Sequence, residues 1–219
     1  MQIRHKLILG LTGICLLVGA VGLNAVIQNR VTQRHVRELS LFPIALNETA
    51  SGMSSALVSS QKTVQELMSE SQRSILEPDE RLNAQEAVEE ARGLLITHIG
   101  EFQRHIATAR TLIEADLRAS RSPGGDEDEI EQEQGELKSL DEVEAEFVVY
   151  RNNLNSFTDS IESDLADADE VLRESVEPHY TMKLLPIVKK FKAEIERELV
   201  RDNTTIDEAI SEVNKMLNM

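Results

Sequence analysis

Three residues of this sequence stand at helical spacing with side chains that bind metal ions: His98, Glu101 and His105. Seven residues separate the two histidines, which places their Cα atoms about 10 Å apart along a helix. A zinc ion holds each ligand nitrogen at about 2 Å, so a single helix cannot supply both histidines to one ion. We therefore interpret them as residues at the surface or edge of a bundle. His35 and His179 stand alone and predict no ligand set.

A second candidate for metal binding is the acidic run from Asp126 to Glu136, which holds seven acids and no base. Calcium loops need a fixed turn around a central glycine, with oxygen ligands at set offsets. The run has neither the turn nor the offsets. We therefore interpret residues 122–136 as a solvated, mobile acidic loop.

No other pattern indicates catalysis. The sequence has no Ser–His–Asp order, Cys–His pair or Gly-rich phosphate loop, and carboxylates are so abundant that any pair of them is expected by chance. A metal-dependent enzyme would need a second set of inward-facing ligands, and none is visible. We predict that the protein is not an enzyme, with no catalytic, cofactor-binding or metal-binding residues, and its ligand-binding residues stay unassigned.

The elements that would position any site are long helices with one apolar stripe each. The second stripe has an average spacing of 3.67 residues, which fits a nearly straight helix. Its members are Ala84, Val88, Ala91, Leu95, Ile99, Phe102, Ile106, Ala109, Ile113 and Leu117. The third stripe comprises Leu140, Phe147, Tyr150, Leu154, Phe157, Ile161, Leu165, Ala168 and Leu172. The fourth comprises Leu184, Val188, Phe191, Ile195, Leu199, Ile206, Ile210, Val213 and Leu217. The first and weakest comprises Leu39, Leu46, Met53, Leu57, Val64, Leu67 and Ile75.

These stripes predict helices over about 28–77, 79–121, 136–176 and 179–217, with turns near Pro78 and Pro178. Long helices joined by short turns must run antiparallel. The predicted fold class is all-α, with an N-terminal transmembrane helix followed by an antiparallel up-down-up-down four-helix bundle. Residues 1–27 would form the tip and the anchor, and residues 28–219 the bundle.

The anchor is the uncharged apolar run Leu7–Ile27, whose 21 residues extend about 31 Å as a helix. With Arg4 and Lys6 before it, the same run also fits a secretory signal peptide cleaved after Ala20 or Ala25. We favour an uncleaved anchor, because signal cores span about 7–15 residues and the helical pattern continues without a breaker.

Composition limits the partners of the rest of the chain. Residues 28–219 hold all 39 acids and 21 of the 23 bases, a formal charge of 21 − 39 = −18. Such a charge argues against nucleic acid and against a membrane-hugging surface, because both present phosphate. The only cysteine lies in the apolar run, so the chain has no intrachain disulfide.

The layout resembles the N-terminal region of bacterial chemoreceptors and sensor histidine kinases that carry a four-helix-bundle sensory domain. The residues that carry the likeness are Met1 to Gly10, the run into Val21–Gly22, Glu177 to Tyr180 and Leu184 to Ile187. The resemblance implies a single-pass protein of the bacterial inner membrane with the bulk of the chain extracytoplasmic. It also implies a role in chemotaxis or two-component signalling. The basic residues on the two sides of the anchor do not decide the orientation by themselves.

The resemblance has a limit at the C-terminus. In such receptors a second span and cytoplasmic signalling modules follow the fourth helix, whereas this sequence ends at Met219. We expect either a truncated receptor or a stand-alone module that acts through a partner.

The resemblance also implies a homodimer formed through the first helix. Its small residues Ser51, Ser54, Ser55, Ser59 and Ser60 would permit close approach of two copies. The alternative is a polar, solvated face.

Two functions remain open on the sequence. The first is a membrane-anchored sensor module that binds a small molecule or a partner protein and responds by a shift between packed helices. The alternative is a structural or scaffolding bundle without a ligand.

Overall fold

The computed structural model describes residues 42–75, 81–121 and 127–217, and all the regular structure in these ranges is helical. The helices are α1 (42–75), α2 (Arg81–Ser120), α3 (Glu127–Ser163), α4 (Leu165–Val171), α5 (Glu177–His179) and α6 (Leu185–Leu217). Two π-helical segments, Leu172–Val176 and Tyr180–Leu184, connect α4, α5 and α6 without a break. We call residues 165–217 the fourth helix.

Contacts divide the chain into two units, residues 42–201 and residues 1–41 with 202–219. In the second unit the structure describes residues 202–217, which are helical. The predicted anchor Leu7–Ile27 lies outside the described residues. Within the described ranges, no helix is both long and apolar enough to cross a membrane.

The unit 42–201 is a helical bundle closed by one apolar core. The second stripe is buried as predicted, apart from Val88 and Ile99, which are partly buried. The Phe102 and Phe147 rings stack with their centroids 4.4 Å apart. The first stripe is buried from Leu46 to Leu67, but its last member, Ile75, was assigned wrongly, because 64% of its surface is exposed.

One polar contact crosses this core. The Tyr150 hydroxyl donates a hydrogen bond to Gln61 Oε1 at 3.2 Å and lies 3.3 Å from the Ser60 hydroxyl. All three residues are buried. Burial raises the pKa of Tyr150 above its usual value, so the phenol stays protonated and keeps its hydrogen to donate.

α1 and α2 approach closely at a glycine. A Cβ atom at Gly52 would lie 2.6 Å from His105 Nε2, so the imidazole ring occupies the space that any side chain at Gly52 would need. His105 is therefore a packing residue between two helices.

The predicted acidic loop 122–136 is wrong over residues 127–136, which form the first turns of α3. Glu127, Asp128 and Glu129 lie in its first turn, where carboxylates interact favourably with the positive end of the helix dipole. Glutamate also has a good intrinsic helix propensity. The charge of these acids led to the prediction of a mobile loop, but the same residues also favour the start of a helix.

The predicted turn near Pro178 is also wrong. The chain leaves the helical conformation at Asp164, where φ is −155° and ψ is 115°. The Asp164 carboxylate accepts a hydrogen bond from the Ala166 amide at 2.8 Å, which caps α4. The third helix ends at Ser163, and Pro178 lies inside the fourth helix.

Two π segments keep the buried face of the fourth helix in register, and each lies next to a proline. The buried residues of this helix recur every fourth position at Ala168, Leu172, Val176, Tyr180, Leu184 and Val188. Five turns of α-helix need about 18 residues, whereas this stretch advances by 20, so about two residues are surplus. The two π segments absorb them, because each contains one wider turn. Each segment closes one residue before a proline, with hydrogen bonds from Glu177 to Leu172 and from Leu185 to Tyr180.

Replacing Phe102 with Ala should lower the free energy of unfolding by about 3–5 kcal/mol, because the ring is fully buried and the cavity cannot close. Chemical denaturation of the full chain in mild detergent measures the change. Ile96→Ala on the same helix is the control, since Ile96 is 68% exposed and should change stability by less than about 0.5 kcal/mol. Equal effects of the two substitutions would contradict the assigned core.

Candidate functional site

Three glutamates from two helices meet at one end of the unit 42–201. Glu133 and Glu136 come from α3 and Glu198 comes from α6. One carboxylate oxygen of each lies within 4.8 Å of the other two. Asp116 of α2 contributes a fourth carboxyl group through a side-chain hydrogen bond with Glu133. We call Glu133, Glu136 and Glu198 the carboxylate cluster.

The periodicity of α3 places two of these acids on its core face. The buried positions Glu133, Glu136, Leu140, Val143 and Phe147 are separated by 3, 4, 3 and 4 residues. Glu133 and Glu136 therefore continue the apolar stripe of α3 toward its N-terminus. Each is only 5% exposed, which is rare for glutamate in a folded protein.

An apolar wall borders one side of the carboxylate cluster. A void of about 10 Å³ lies among Glu133, Glu198, Asp116 and several apolar side chains, a volume close to that of one water molecule. The apolar lining consists of Phe42, Pro43, Leu46, Leu112 and Ile113. These side chains lower the local polarity, which makes ionisation of the neighbouring carboxyl groups more costly.

A cavity of about 440 Å³ between α3 and α6 borders the other side. Glu136 and Glu198 line it together with Gln132, Ser139, Glu194, Arg197 and Arg201. Arg201 donates a hydrogen bond to Gln132 Oε1, and Gln132 Nε2 lies 3.5 Å from Glu136 Oε1. The cavity thus combines two members of the carboxylate cluster, Glu136 and Glu198, with two guanidinium groups.

Burial and mutual repulsion perturb the ionisation of these acids. Burial is the main cause that raises the pKa of Glu133 to about 9, followed by the negative charge of Asp116. Burial is likewise the main cause that raises the pKa of Glu136 to about 10, followed by a hydrogen bond with Glu198 and the negative charge of Glu198. Burial also raises the pKa of Asp116. Glu133 and Glu136 therefore hold protons at neutral pH unless a cation replaces them.

This arrangement permits two kinds of chemistry. Carboxyl groups in close contact can share protons, as in pairs of acids that cannot both ionise. Alternatively, three convergent carboxylate oxygens can ligate a hard divalent cation.

The structure does not bring the histidine candidates together, in agreement with their interpretation as residues that share no ion. His98 Nδ1 lies 3.3 Å from Glu101 Oε2 on the surface of α2, whereas His105 packs against Gly52 of α1. His179 contacts Glu146 of α3, with its Nε2 atom 2.9 Å from the backbone oxygen and 3.3 Å from Oε2. Each of these three histidines therefore has a local packing or hydrogen-bonding partner. His35 lies outside the described residues.

The five serines of α1 do not share one environment. Ser60 is buried against Tyr150, whereas Ser55 is exposed, and Ser51, Ser54 and Ser59 are partly buried. Ser60 therefore belongs to the core of the chain rather than to a seam between two copies. The homodimer through the first helix stays a prediction.

The carboxylate cluster was not predicted from the sequence, because the acidic run was judged by its charge and by the missing turn and offsets of a calcium loop, and not by helical spacing. A detectable signal was present. The stripe of α3, extended toward the N-terminus from Leu140 at alternating spacings of 4 and 3, reaches Glu136 and Glu133. Acids that occupy core positions of a helical stripe indicate a buried polar site, which a charge count does not reveal.

Comparison of this chain with protein-family models, with curated proteins and with solved structures found no match.

The raised pKa values predict that, with calcium and other divalent ions chelated, the protein becomes less stable as pH rises. Between the ordinary glutamate pKa of 4.5 and the folded values of about 9 and 10, the folded state binds more protons than the unfolded state. Each extra bound proton lowers stability by about 1.4 kcal/mol per pH unit. Thermal unfolding of the full chain in detergent with EDTA, from pH 5 to pH 9, measures the slope.

Glu136→Gln should flatten this slope and make the protein more stable than the wild type at pH 8, because glutamine cannot ionise. Glu131→Gln makes the same substitution at an exposed position of α3 and should leave the slope unchanged. Identical pH profiles for the two variants would contradict the perturbed ionisation of Glu136.

Proposed function

We propose that this protein is a membrane-anchored sensory module whose fourth helix moves between two packed arrangements. Residues 42–201 would form the extracytoplasmic bundle, and Leu7–Ile27 would form the anchor in a bacterial inner membrane. The resemblance to four-helix-bundle sensory regions and the helical core support this function. The observation that carries it is the pair of π segments in the fourth helix.

The proposed topology alternates the helix directions up, down, up and down. Contacts between neighbouring helices support this topology. As the residue number rises along one helix, the number of its contact partner on the next helix falls, as expected for antiparallel helices. Arg110 of α2 bonds Asp141 and Glu144 of α3, whereas Arg92 bonds Glu162. Between α3 and the fourth helix the same order holds for three pairs: Glu146 with His179, Asn153 with Ser175, and Ser160 with Asp167.

The π segments make the fourth helix the most suitable element to move. Such wide turns are rare and frequently lie at functional sites. We propose that the extra residue of each turn can pass along the helix. A ligand that favours one position of this residue would rotate and shift α6 by about one residue, or about 1.5 Å. Such a displacement is typical of helix shifts in switching proteins.

Contacts with α3 hold the present arrangement in place. Asn153 Nδ2 donates to the backbone oxygen of Ser175, inside the first π segment, at 3.2 Å. The His179 imidazole, between the two π segments, contacts Glu146. A shift of the fourth helix would break both polar contacts and form others in their place. The helix would therefore occupy one of two distinct positions, with no stable position between them.

Deletion of Met182 tests whether the second π segment contains one residue more than a regular α-helix needs. Met182 lies in the second π segment and is 75% exposed, so its removal should convert a wide turn into a regular one and leave the downstream packing in place. We expect a melting temperature equal to or above that of the wild type. Deletion of the exposed Ala193 in α6 is the control: it should rotate all later residues by about 100° and reduce stability strongly. Equal losses for both deletions would contradict the role of the π segment.

The two arrangements can be observed directly by pulsed electron paramagnetic resonance. Spin labels are attached at exposed Glu142 of α3 and exposed Lys190 of α6 in a Cys15→Ser background. We expect two distances between the labels in the chain of wild-type length, and one distance after deletion of Met182. A single population in both proteins would leave the scaffolding function as the better hypothesis.

The membrane topology is tested by chemical labelling. A cysteine at the exposed residue Arg121, in the same Cys15→Ser background, should react with a membrane-impermeant maleimide added to cells with a permeable outer envelope. A cysteine at exposed Ser163 serves as the second probe, at the turn between α3 and α4. Reaction of either cysteine only after the inner membrane is opened would contradict the extracytoplasmic location.

A further inference from the structure

We propose that Glu133, Glu136 and Glu198 form a calcium-binding site between α3 and α6. The proposal needs neither the membrane anchor nor the two arrangements of the fourth helix. It concerns a ligand of the bundle itself.

The spacing of the oxygen atoms fits calcium. Three atoms that lie within 4.8 Å of one another have a common centre no more than about 2.8 Å from each. Calcium–oxygen distances are about 2.3–2.6 Å, so small side-chain movements would complete coordination. Magnesium needs about 2.0–2.1 Å and a near-ideal octahedron, which would require a larger contraction.

The state of Glu136 independently indicates that a ligand belongs here. Only 5% of the residue is exposed, and its Oε1 atom lies 3.5 Å from Gln132 Nε2. Its Oε2 atom is buried without a hydrogen-bond donor, and the carboxyl group can bond Glu198 only while it keeps a proton. A buried carboxylate oxygen without a donor is costly, because it loses its hydration and gains nothing in exchange. A cation bound within the cluster would supply the missing interaction.

The surroundings supply the rest of a coordination shell. Calcium takes six to eight oxygen ligands, and its carboxylate ligands can be monodentate or bidentate. The cavity of about 440 Å³ borders Glu136 and Glu198 and provides space for coordinated water. The cluster contains no histidine or cysteine, so its oxygen-only donors favour a hard cation over zinc or copper.

Electrostatics also favour a divalent cation. Asp116 adds a fourth carboxyl group beside Glu133, and Glu129 and Glu198 add further negative charge to its surroundings. Arg197 and Arg201 line the cavity and offset part of this charge. Neighbouring acids contribute, after burial, to the raised pKa values of Glu133 and Glu136, and a calcium ion would offset their negative charge.

Calorimetric titration and thermal unfolding of the full chain in mild detergent at pH 8 test the site, with calcium chloride as the probe and magnesium chloride as the comparison. We expect one calcium ion per chain. The melting temperature should rise by about 5 °C or more when calcium is a hundredfold above its dissociation constant. Magnesium should bind at least about tenfold more weakly.

Glu136→Gln should abolish both the heat of binding and the thermal shift, whereas Glu131→Gln, the same substitution on the exposed face of α3, should retain them. Glu198→Gln provides a second ligand variant, and circular dichroism in EDTA establishes that each variant is folded before titration. Absence of calcium binding to the wild type, or equal binding by Glu136→Gln, would overturn the proposal. Either result would leave the labelling and spin-label tests of the sensory function unaffected.

Discussion

The register between α3 and the fourth helix is the constraint on which the rest of the structure depends. The buried residues of α3 alternate between spacings of 3 and 4 from Glu133 to Phe157, whereas those of the fourth helix recur every fourth residue from Ala168 to Val188. A regular α-helix could not keep both faces in contact over this length. Two π segments remove the mismatch by absorbing about two residues.

The carboxylate cluster depends on the same correction. Glu198 lies beyond both π segments, and two unabsorbed residues would turn it by about 200° around the axis of the fourth helix. It would then face away from Glu133 and Glu136. A wide turn near Pro178 therefore determines which side chains meet about five turns later, at Glu198. Local backbone geometry and the site are thus coupled within one helix.

Buried charge and buried apolar surface have opposite effects in this bundle. The stacked rings of Phe102 and Phe147 stabilise the middle of the core, and this stabilisation depends on neither bound protons nor bound cations. The carboxylate cluster at one end destabilises the folded state unless it holds protons or a cation. A fold that keeps acids at core positions of α3 retains a region whose packing responds to ligands, which simple leucines at the same positions would not provide.

The all-helical class and most of the core were predictable from sequence. Apolar residues at a spacing near 3.6 form one face of an α-helix, and that face must be buried away from water. The burial of Phe102, Phe157 and Phe191 follows from such stripes without any knowledge of their partners. The end of α3 was not predictable in the same way. Proline is a strong local signal, but tertiary packing allowed wide turns at Pro178 and Pro186, while Asp164, a single capping residue, ended the helix. The carboxylate cluster was decided only by tertiary structure, because Glu133 and Glu198 lie 65 residues apart and meet only when α3 packs against α6.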